Sequence, residues 1–199
     1  MEFKDIVRQR YACRQYEDKK IPEETIRELL EIISYSVSAR NLQPWKIKVV
    51  SDKKTLGELF GATGEQAQVR DCSHLLVLCA DTDYPAIIEK MDKAMLATGA
   101  PEAMRTGLVG ATRDKIAGMN AEQQLHWSEY QVYIAVGNAV NGAYSLGLGA
   151  CPMTNFKPAE FARILGLPAH LSPTVIVSLG YPADKPAPKR RYPVDEILV

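Results

Sequence analysis

The sequence has no excess of charge, because its 24 Lys and Arg residues balance its 24 Asp and Glu residues. Nucleic-acid-binding proteins normally carry a basic excess, so we expect no nucleic-acid partner. No apolar run approaches the roughly 20 residues that span a bilayer, and we expect no membrane partner. The first residues lack the basic-then-apolar pattern of a secretion signal, which predicts a cytoplasmic protein.

The motifs of common catalytic and metal-binding classes are also missing. The four cysteines form no CxxC pair and have no metal-type spacing with the three histidines, so we expect buried, reduced thiols and no metal site. The chain contains no GxGxxG, Walker A, HExxH or GxSxG pattern. No side chains resemble a nucleophile with its base. For an enzyme with this sequence, a bound cofactor would supply the chemistry.

What the sequence does contain predicts a single domain over residues 1–199, with 46% hydrophobic residues to form its core. Alternation from Trp45 to Val49 predicts a half-buried strand. The apolar runs 74–80 and 174–179 are typical of interior strands. A long helix is predicted from about Ala121 to Leu146.

Three further features concern packing and mobility. Gly137 and Gly142 within the long helix indicate that another backbone approaches closely, at either a subunit interface or a crowded monomer core. Residues 99–120 have weak periodicity and four glycines, which predicts a mobile lid. The Pro-rich stretch that begins at Pro182 predicts an extended connection to a C-terminal arm, residues 182–199.

Two kinds of polar segment could bind a ligand. The run from Ser38 to Gln43 carries a hydroxyl, a guanidinium and two amides just before Pro44 and Trp45, more hydrogen-bonding groups than a turn requires. Basic clusters lie at residues 8–14 and 189–191, and Arg side chains match phosphate oxygens with two hydrogen bonds. Together these segments favour a ligand that carries a phosphate and a planar ring. The basic clusters would bind the phosphate, and the run from Ser38 to Gln43 would contact the polar edge of the ring.

Five segments, in order along the chain, resemble signatures of the FMN-dependent nitroreductase family. They are RYACRQY at 10–16, SARNLQPW at 38–45, WSEYQVYIAVG at 127–137, GLGACPM at 147–153 and KRR at 189–191. The series covers nearly the whole chain. The resemblance implies an α+β fold with a mostly antiparallel central sheet flanked by helices. It also implies an entwined homodimer that binds FMN at two sites in the subunit interface.

The resemblance also implies roles for individual residues. Arg10 and Arg191 would bind the FMN phosphate with help from Lys189. Arg14 would lie near the pyrimidine edge of the flavin, where a cation stabilises the reduced form. Ser38 and Asn41 would contact the cofactor, with the partner subunit completing the clamp. The remaining implied cofactor contacts are Tyr11, Ala12, Ala39, Gln66, Gln68, Pro152, Met153, Thr154 and Asn155.

Three of these positions depart from the family pattern, one of them Gln68, which lies near where some members carry a Lys. Ala12 stands where a Ser often binds phosphate, so one hydrogen bond is missing or replaced. Thr154 stands where an acid or Gly is common, which leaves only a backbone role at that position.

The resemblance implies an NAD(P)H-dependent enzyme with ping-pong turnover. NAD(P)H would give hydride to the flavin and leave, and a nitroaromatic, quinone or similar acceptor would then take its place. No protein general base is required, so we assign no catalytic side chain beyond Arg14 as an electrostatic stabiliser. Residues 99–120, Trp127 and Tyr130 are candidates for lining the acceptor pocket.

Two alternatives remain open at this point. The first is a specialised flavin enzyme, for reductive dehalogenation or flavin fragmentation. A dehalogenase would carry Glu, Tyr and Lys in its lid, whereas no Tyr lies between Glu102 and Lys115. The second alternative is a flavin-binding sensor without efficient turnover.

Overall fold

A four-stranded antiparallel sheet forms the centre of the structure, a computed structural model that describes residues 1–199. The strands follow the order β1-β2-β4-β3 across the sheet. They are β1 (Trp45–Val50), β2 (His74–Asp81), β3 (Gly149–Met153) and β4 (Leu171–Gly180). The helices are α1 (Phe3–Gln9), α2 (Glu23–Ser34), α3 (Lys53–Gly61), α4 (Ala67–Asp71), α5 (Tyr84–Ala97), α6 (Glu102–Ala117), α7 (Ala121–Ser145) and α8 (Pro158–Leu165). The predicted α+β class is confirmed.

The central strand β2 is buried along its whole length, because helices cover both faces of the sheet. Its side chains alternate between the faces, as the two-residue period of a strand requires. Leu76 and Leu78 join the core formed with α2 and α7. Leu75 and Val77 join the core formed with α3, α4 and α8. The interior strands predicted from the two apolar runs are confirmed, as is the half-buried β1.

The long helix α7 packs along one face of the sheet and begins with a capping box. The Asn120 side chain accepts from the Gln123 N–H, and the Gln123 side chain accepts from the Asn120 N–H. Small side chains such as Ala135, Ala139 and Ala143 are fully buried, which lets the helix lie close to its neighbours. No helix, α7 included, has the length and apolar composition required to cross a bilayer.

The two glycines of α7 have different surroundings. A Cβ added at Gly142 would lie 2.9 Å from Cγ2 of Ile32 and 3.1 Å from Cδ1 of Leu29, so α2 packs directly against this position. Gly142 therefore belongs to a crowded monomer core. A Cβ at Gly137 would meet nothing within 4 Å, and Gly137 lies on the face with the exposed Tyr133 and Ile134.

Most of residues 99–120, for which the sequence predicted a mobile lid, form the 16-residue helix α6. Its buried residues are Val109, Thr112 and Ile116, which face one side of the helix at a spacing of three and four. Val109 and Ile116 pack with Ile87 and Met91 of α5. The helix forms despite the weak periodicity of its sequence, because a single narrow buried stripe is enough to hold it against α5. Movement of α6 as a lid stays a prediction.

Candidate functional site

Three cations meet at the C-terminal end of α1. Lys189 Nζ donates to the carbonyl oxygens of Val7 at 2.9 Å and Arg10 at 2.6 Å, which are free because the helix ends there. Arg10 Nε donates to Asn141 Oδ1 at 3.1 Å. Burial lowers the pKa of Lys189, and the positive charges of Arg10 and Arg191 lower it further. The six ion pairs of the chain include none of these three residues. The cluster therefore has uncompensated positive charge.

Asp184 attaches the C-terminal arm to the segment that carries Arg10 and Arg14. Its carboxylate accepts hydrogen bonds from the Arg14 N–H at 2.8 Å, the Tyr11 hydroxyl at 2.8 Å and the Cys13 thiol at 3.1 Å. The Tyr11 hydroxyl also donates to the Asp184 carbonyl at 2.9 Å. These contacts fix the position from which the arm reaches Lys189 and Arg191.

The pKa values around Asp184 report the same arrangement. Burial acts to raise the pKa of Asp184, but the hydrogen bonds from Arg14, Cys13, Tyr11 and the Gln15 backbone outweigh it and lower the pKa overall. Burial raises the pKa of the Cys13 thiol to about 12, and the neighbouring Asp184 raises it too. Burial and the hydrogen bond to Asp184 likewise raise the pKa of Tyr11. Asp184 is thus ionised at neutral pH while its two side-chain donors keep their protons.

The segment after Arg10 lies against the edge strand β3. Ala12 forms a parallel bridge with Ala150, and the Cys13 N–H donates to the Ala150 carbonyl at 3.1 Å. Gly149 is required for this contact, because a Cβ there would lie 2.6 Å from Cys13 Sγ. Burial raises the pKa of Cys151, whereas the positive charge of Arg14 acts to lower it. Arg14 thus lies beside β3.

The end of β3 lies against Gln66 and Gln68, the two glutamines that were predicted to contact the cofactor. Gln66 Nε2 donates to the Asn155 carbonyl at 2.7 Å. Gln68 Nε2 contacts Met153 Sδ at 3.2 Å and Gln66 Oε1 at 3.2 Å. Gln68 is only 8% exposed, so its amide is fixed by its surroundings. Pro152, Thr154 and Asn155 are exposed beside this pair.

These contacts form one continuous surface, which we call the arm-side wall. It consists of residues 10–14, Gln66, Gln68, 151–155, Asp184, Lys189 and Arg191. The predicted cofactor contacts did not include three members of this wall, Cys13, Cys151 and Asp184, and Asp184 is the one that attaches the arm. The available signal was weak: Asp184 is the acidic residue of the Pro-rich stretch 182–188, and its partners lie about 170 positions earlier.

Residues 38–43, which we call the left-handed loop, have an unusual backbone. The φ angles of Arg40, Asn41 and Gln43 are +56°, +54° and +47°. This region costs about 1–3 kcal/mol for a residue other than glycine, although Asn tolerates it. The Gln43 N–H donates to Ser38 Oγ at 2.9 Å, and Gln43 Nε2 donates to Asn41 Oδ1 at 3.1 Å. These local hydrogen bonds help to maintain the strained conformation.

The left-handed loop does not meet the arm-side wall within one chain. The Ala39 N–H donates to Gln131 Oε1 at 2.8 Å, whereas Arg10 binds Asn141. Both partners lie on α7, and ten residues of helix correspond to about 15 Å. The Ser38, Ala39 and Asn41 positions are therefore separated from the cation cluster along α7 in a single chain.

The two aromatic residues proposed for the acceptor pocket have different environments. Trp127 packs against Tyr84, with ring centroids 6.0 Å apart, and Lys115 Nζ lies 5.5 Å from the Trp127 ring centroid. Trp127 thus packs against the core formed with α5 and α6. Tyr130 is 65% exposed and is available to a second molecule.

The model of the Nitroreductase family matches residues 7–181 of the chain. The chain belongs to the nitroreductase family. A Thermus thermophilus protein named NADH dehydrogenase is 33% identical over 199 residues, which cover 100% of this chain and 96% of the relative. A Haemophilus influenzae protein whose name assigns it to NAD(P)H nitroreductases is 29% identical over 98% of this chain and 94% of its own length. The chain is thus an NAD(P)H-dependent oxidoreductase of the nitroreductase type.

Solved structures show that the fold is that of the nitroreductases. A nitroreductase-family protein of Streptococcus pneumoniae superposes with a TM-score of 0.89 at 24% identity, covering 100% of this chain and 99% of the other. An Exiguobacterium sibiricum protein crystallised in complex with FMN superposes with a TM-score of 0.91 at 21% identity, covering 100% and 97%. At this level of identity the agreement concerns the fold alone.

Proposed function

We propose that this protein is an FMN-dependent oxidoreductase that uses NAD(P)H to reduce nitroaromatics, quinones or similar electron-poor acceptors in a ping-pong scheme. The observation that carries the proposal is the cluster of Arg10, Lys189 and Arg191, which has no carboxylate partner. Placing like charges together is unfavourable unless an anion compensates them. A phosphate monoester is such an anion, and Arg side chains match its geometry.

The rest of the arm-side wall fits a flavin attached to that phosphate. Arg14 would lie toward the pyrimidine edge, where its positive charge would favour the negative charge gained on reduction. The paired amides of Gln66 and Gln68 supply donors and acceptors for a polar ring edge. Exposed backbone from Pro152 to Asn155 would cover one ring face. The chemistry that bound FMN would supply is hydride transfer from NAD(P)H to an acceptor.

The proposed site is shared between two copies of the chain. The resemblance to the nitroreductase family implies a homodimer, and the exposed apolar side chains of this chain support one. Tyr130 and Tyr133 on α7 are 65% and 52% exposed, and Tyr192 and Ile197 on the arm are also exposed. Their burial in an interface would stabilise the dimer by the hydrophobic effect.

A dimer would also resolve the separation along α7. We propose that Ser38, Ala39 and Asn41 of a second copy approach the arm-side wall and complete the cofactor site. We place the enzyme in the cytoplasm, where its four free thiols would stay reduced.

Anaerobic stopped-flow absorbance tests the proposed turnover. The purified protein should be yellow, NAD(P)H should bleach the flavin band rapidly, and a quinone should restore it. Bleaching without efficient reoxidation by quinones or nitroaromatics would instead favour a sensor or a specialised flavin enzyme. A colourless protein that takes up no added FMN would contradict the proposal as a whole.

The role of Arg14 has a readout that does not depend on turnover. In Arg14→Ala the reduction potential of the bound flavin should fall, because positive charge near the pyrimidine edge is lost. The potential is measured by equilibration with a reference dye. An unchanged potential in a variant that still binds FMN would contradict the assignment of Arg14.

A further inference from the structure

A cavity of about 290 Å³ lies between the left-handed loop and the helices α5 and α6. It is separate from the arm-side wall of the same chain, with which it shares no residue. Its lining consists of Arg40, Asn41, Leu42, Gln43, Ile87, Lys90, Met91, Ala94, Met95, Thr98 and Leu108. The cavity thus combines an apolar interior with two basic residues, and no acidic residue lines it.

The apolar part of the cavity comes from three elements. Ile87 and Met91 of α5 and Leu42 of the loop belong to one buried cluster, and Met95 and Leu108 pack against it. Methionine side chains are flexible and polarisable, so such a surface adapts to ligands of different shapes. The volume lies just below the range of about 300–1,000 Å³ for small-molecule pockets. One ring or a short acyl chain would therefore fill it.

The two cations of the cavity are free to bind an anion. Neither Arg40 nor Lys90 takes part in an ion pair. Arg40 makes one side-chain hydrogen bond, from Nη1 to Thr112 Oγ1 at 3.1 Å. Thr112 is fully buried and donates to the Leu108 carbonyl at 2.7 Å, so it fixes one nitrogen of the guanidinium. The other N–H groups of the Arg40 guanidinium are therefore available to donate hydrogen bonds to a ligand.

The backbone conformation supports a ligand role for Arg40. A guanidinium carried at φ +56° occupies a position that most residues avoid, and strained residues cluster where a ligand is bound. The loop is held there by the bonds from the Ala39 N–H to Gln131 and from the Gln43 N–H to Ser38. The backbone that carries Arg40 is therefore held in place by hydrogen bonds on both sides of it.

We propose that this cavity binds small amphipathic carboxylates, with the carboxylate at Arg40 and Lys90 and the ring or chain on the methionine surface. Asn41 lines the cavity and also belongs to the proposed cofactor site of a second copy. The cavity would thus give the enzyme a preference for electron acceptors that carry a carboxylate. This preference rests on the proposed function, whereas carboxylate binding itself does not.

Calorimetric titration of the FMN-loaded protein tests the binding. Benzoate and its neutral analogue benzamide have nearly the same shape, and benzoate should bind at least tenfold more tightly. Arg40→Gln and Lys90→Gln should each remove most of this difference, and Arg40→Lys should keep part of it. The matched controls Arg27→Gln on α2 and Lys54→Gln on α3 change exposed cations outside the cavity and should keep all of it. Equal binding of benzoate and benzamide by the unmodified protein would overturn the proposal.

Steady-state kinetics test the acceptor preference. The ratio of kcat/KM for 4-nitrobenzoate to that for 4-nitrobenzamide should fall about tenfold in Arg40→Gln and stay unchanged in Arg27→Gln. If the protein reduces quinones with bound FMN but Arg40→Gln leaves this ratio unchanged, the cavity assignment alone is overturned. A protein that binds benzoate at Arg40 but takes up no FMN would overturn the proposed function alone.

Discussion

The arm-side wall and the left-handed loop present polar groups in two different ways. The wall is held by hydrogen bonds between distant parts of the chain, such as the bond from the Arg14 N–H to Asp184. Within it, the cluster of Arg10, Lys189 and Arg191 forms no ion pair with a carboxylate. The loop is held mainly by local bonds in a backbone that is unfavourable for Arg40 and Gln43. The energetic cost is electrostatic in the wall and conformational in the loop.

The two kinds of energetic cost indicate which ligand groups suit each region. Accumulated positive charge is compensated by a ligand with high negative charge density, such as a phosphate. A strained loop with a few donors and an apolar neighbour suits a smaller anion with an apolar body. Substitutions in each region should show whether the cost is electrostatic in the wall and conformational in the loop.

The largest effect is expected in the wall, from Gly149→Ala. A Cβ at this position would lie 2.6 Å from Cys13 Sγ and 2.8 Å from Cys13 Cβ, so either β3 or the segment 12–14 must move. Overpacking of this kind should lower the free energy of unfolding by about 3 kcal/mol. Urea denaturation measures it. The control Gly110→Ala, where a Cβ meets nothing within 4 Å, should raise it by up to about 1 kcal/mol.

Arg10→Ala tests whether the charge of the wall serves a phosphate. Loss of a charge-assisted contact worth about 1.5–3 kcal/mol should raise the Kd for FMN about 10- to 150-fold. Quenching of flavin fluorescence on binding gives the Kd. The exposed Arg27 offers a control of the same charge, and Arg27→Ala should leave the Kd unchanged. Equal effects of the two substitutions would remove the distinction between the wall and a general basic surface.

Asp184→Asn tests the long-range attachment of the arm. It should lower the free energy of unfolding at neutral pH by about 1–2 kcal/mol, because hydrogen bonds to a charged acceptor are replaced by weaker ones. The pKa of Asp184 is lower in the folded protein, so its stabilisation is present above the unfolded pKa of about 3.9 and is lost as pH falls through the folded pKa. The difference between variant and parent should thus shrink below about pH 4. A difference that is independent of pH would contradict an ionised Asp184.

A smaller effect should reveal the strain of the loop. Gln43 has a φ of +47°. Glycine adopts this conformation without the steric clash that the Cβ of alanine causes. Gln43→Gly should therefore be about 1 kcal/mol more stable than Gln43→Ala. The exposed helical residue Glu58 of α3 should show the opposite order, because Gly in a regular helix costs about 1 kcal/mol relative to Ala. The same order at both positions would mean that the loop stores no strain.

Much of the fold could be predicted from local sequence patterns. The apolar runs gave β2 and β4, and the spacing of small apolar residues gave α7 to within one residue of its C-terminal end. Helix α6 could not be predicted in this way, because its buried stripe is narrow and its interior contains two glycines, Gly107 and Gly110. Packing against α5 stabilises this helix, and such packing leaves little local signal.

The residue types of the site could be predicted, but their arrangement could not. The contacts of Gln66 and Gln68 with the end of β3 agree with a shared surface. Asp184 was missed because its partners lie at residues 11–14, far away in sequence. The left-handed backbone at Arg40 was not predicted either, because Arg has no preference for that conformation. The distance along α7 between the wall and the loop was not predicted, because it is set by tertiary contacts with Asn141 and Gln131.

Mixing of two defective variants tests most directly whether one site is built from two chains. Arg10→Ala alters the wall, and Asn41→Asp alters the loop while keeping a residue that tolerates its backbone. Each homodimer should bind FMN weakly. After the two variants are coexpressed or mixed with subunit exchange, half of the dimers carry both chains, and each of these has one intact site. Fluorescence titration should then recover tight binding at about a quarter of all sites. Recovery of no tight sites, with mixed dimers shown to be present, would contradict the shared site.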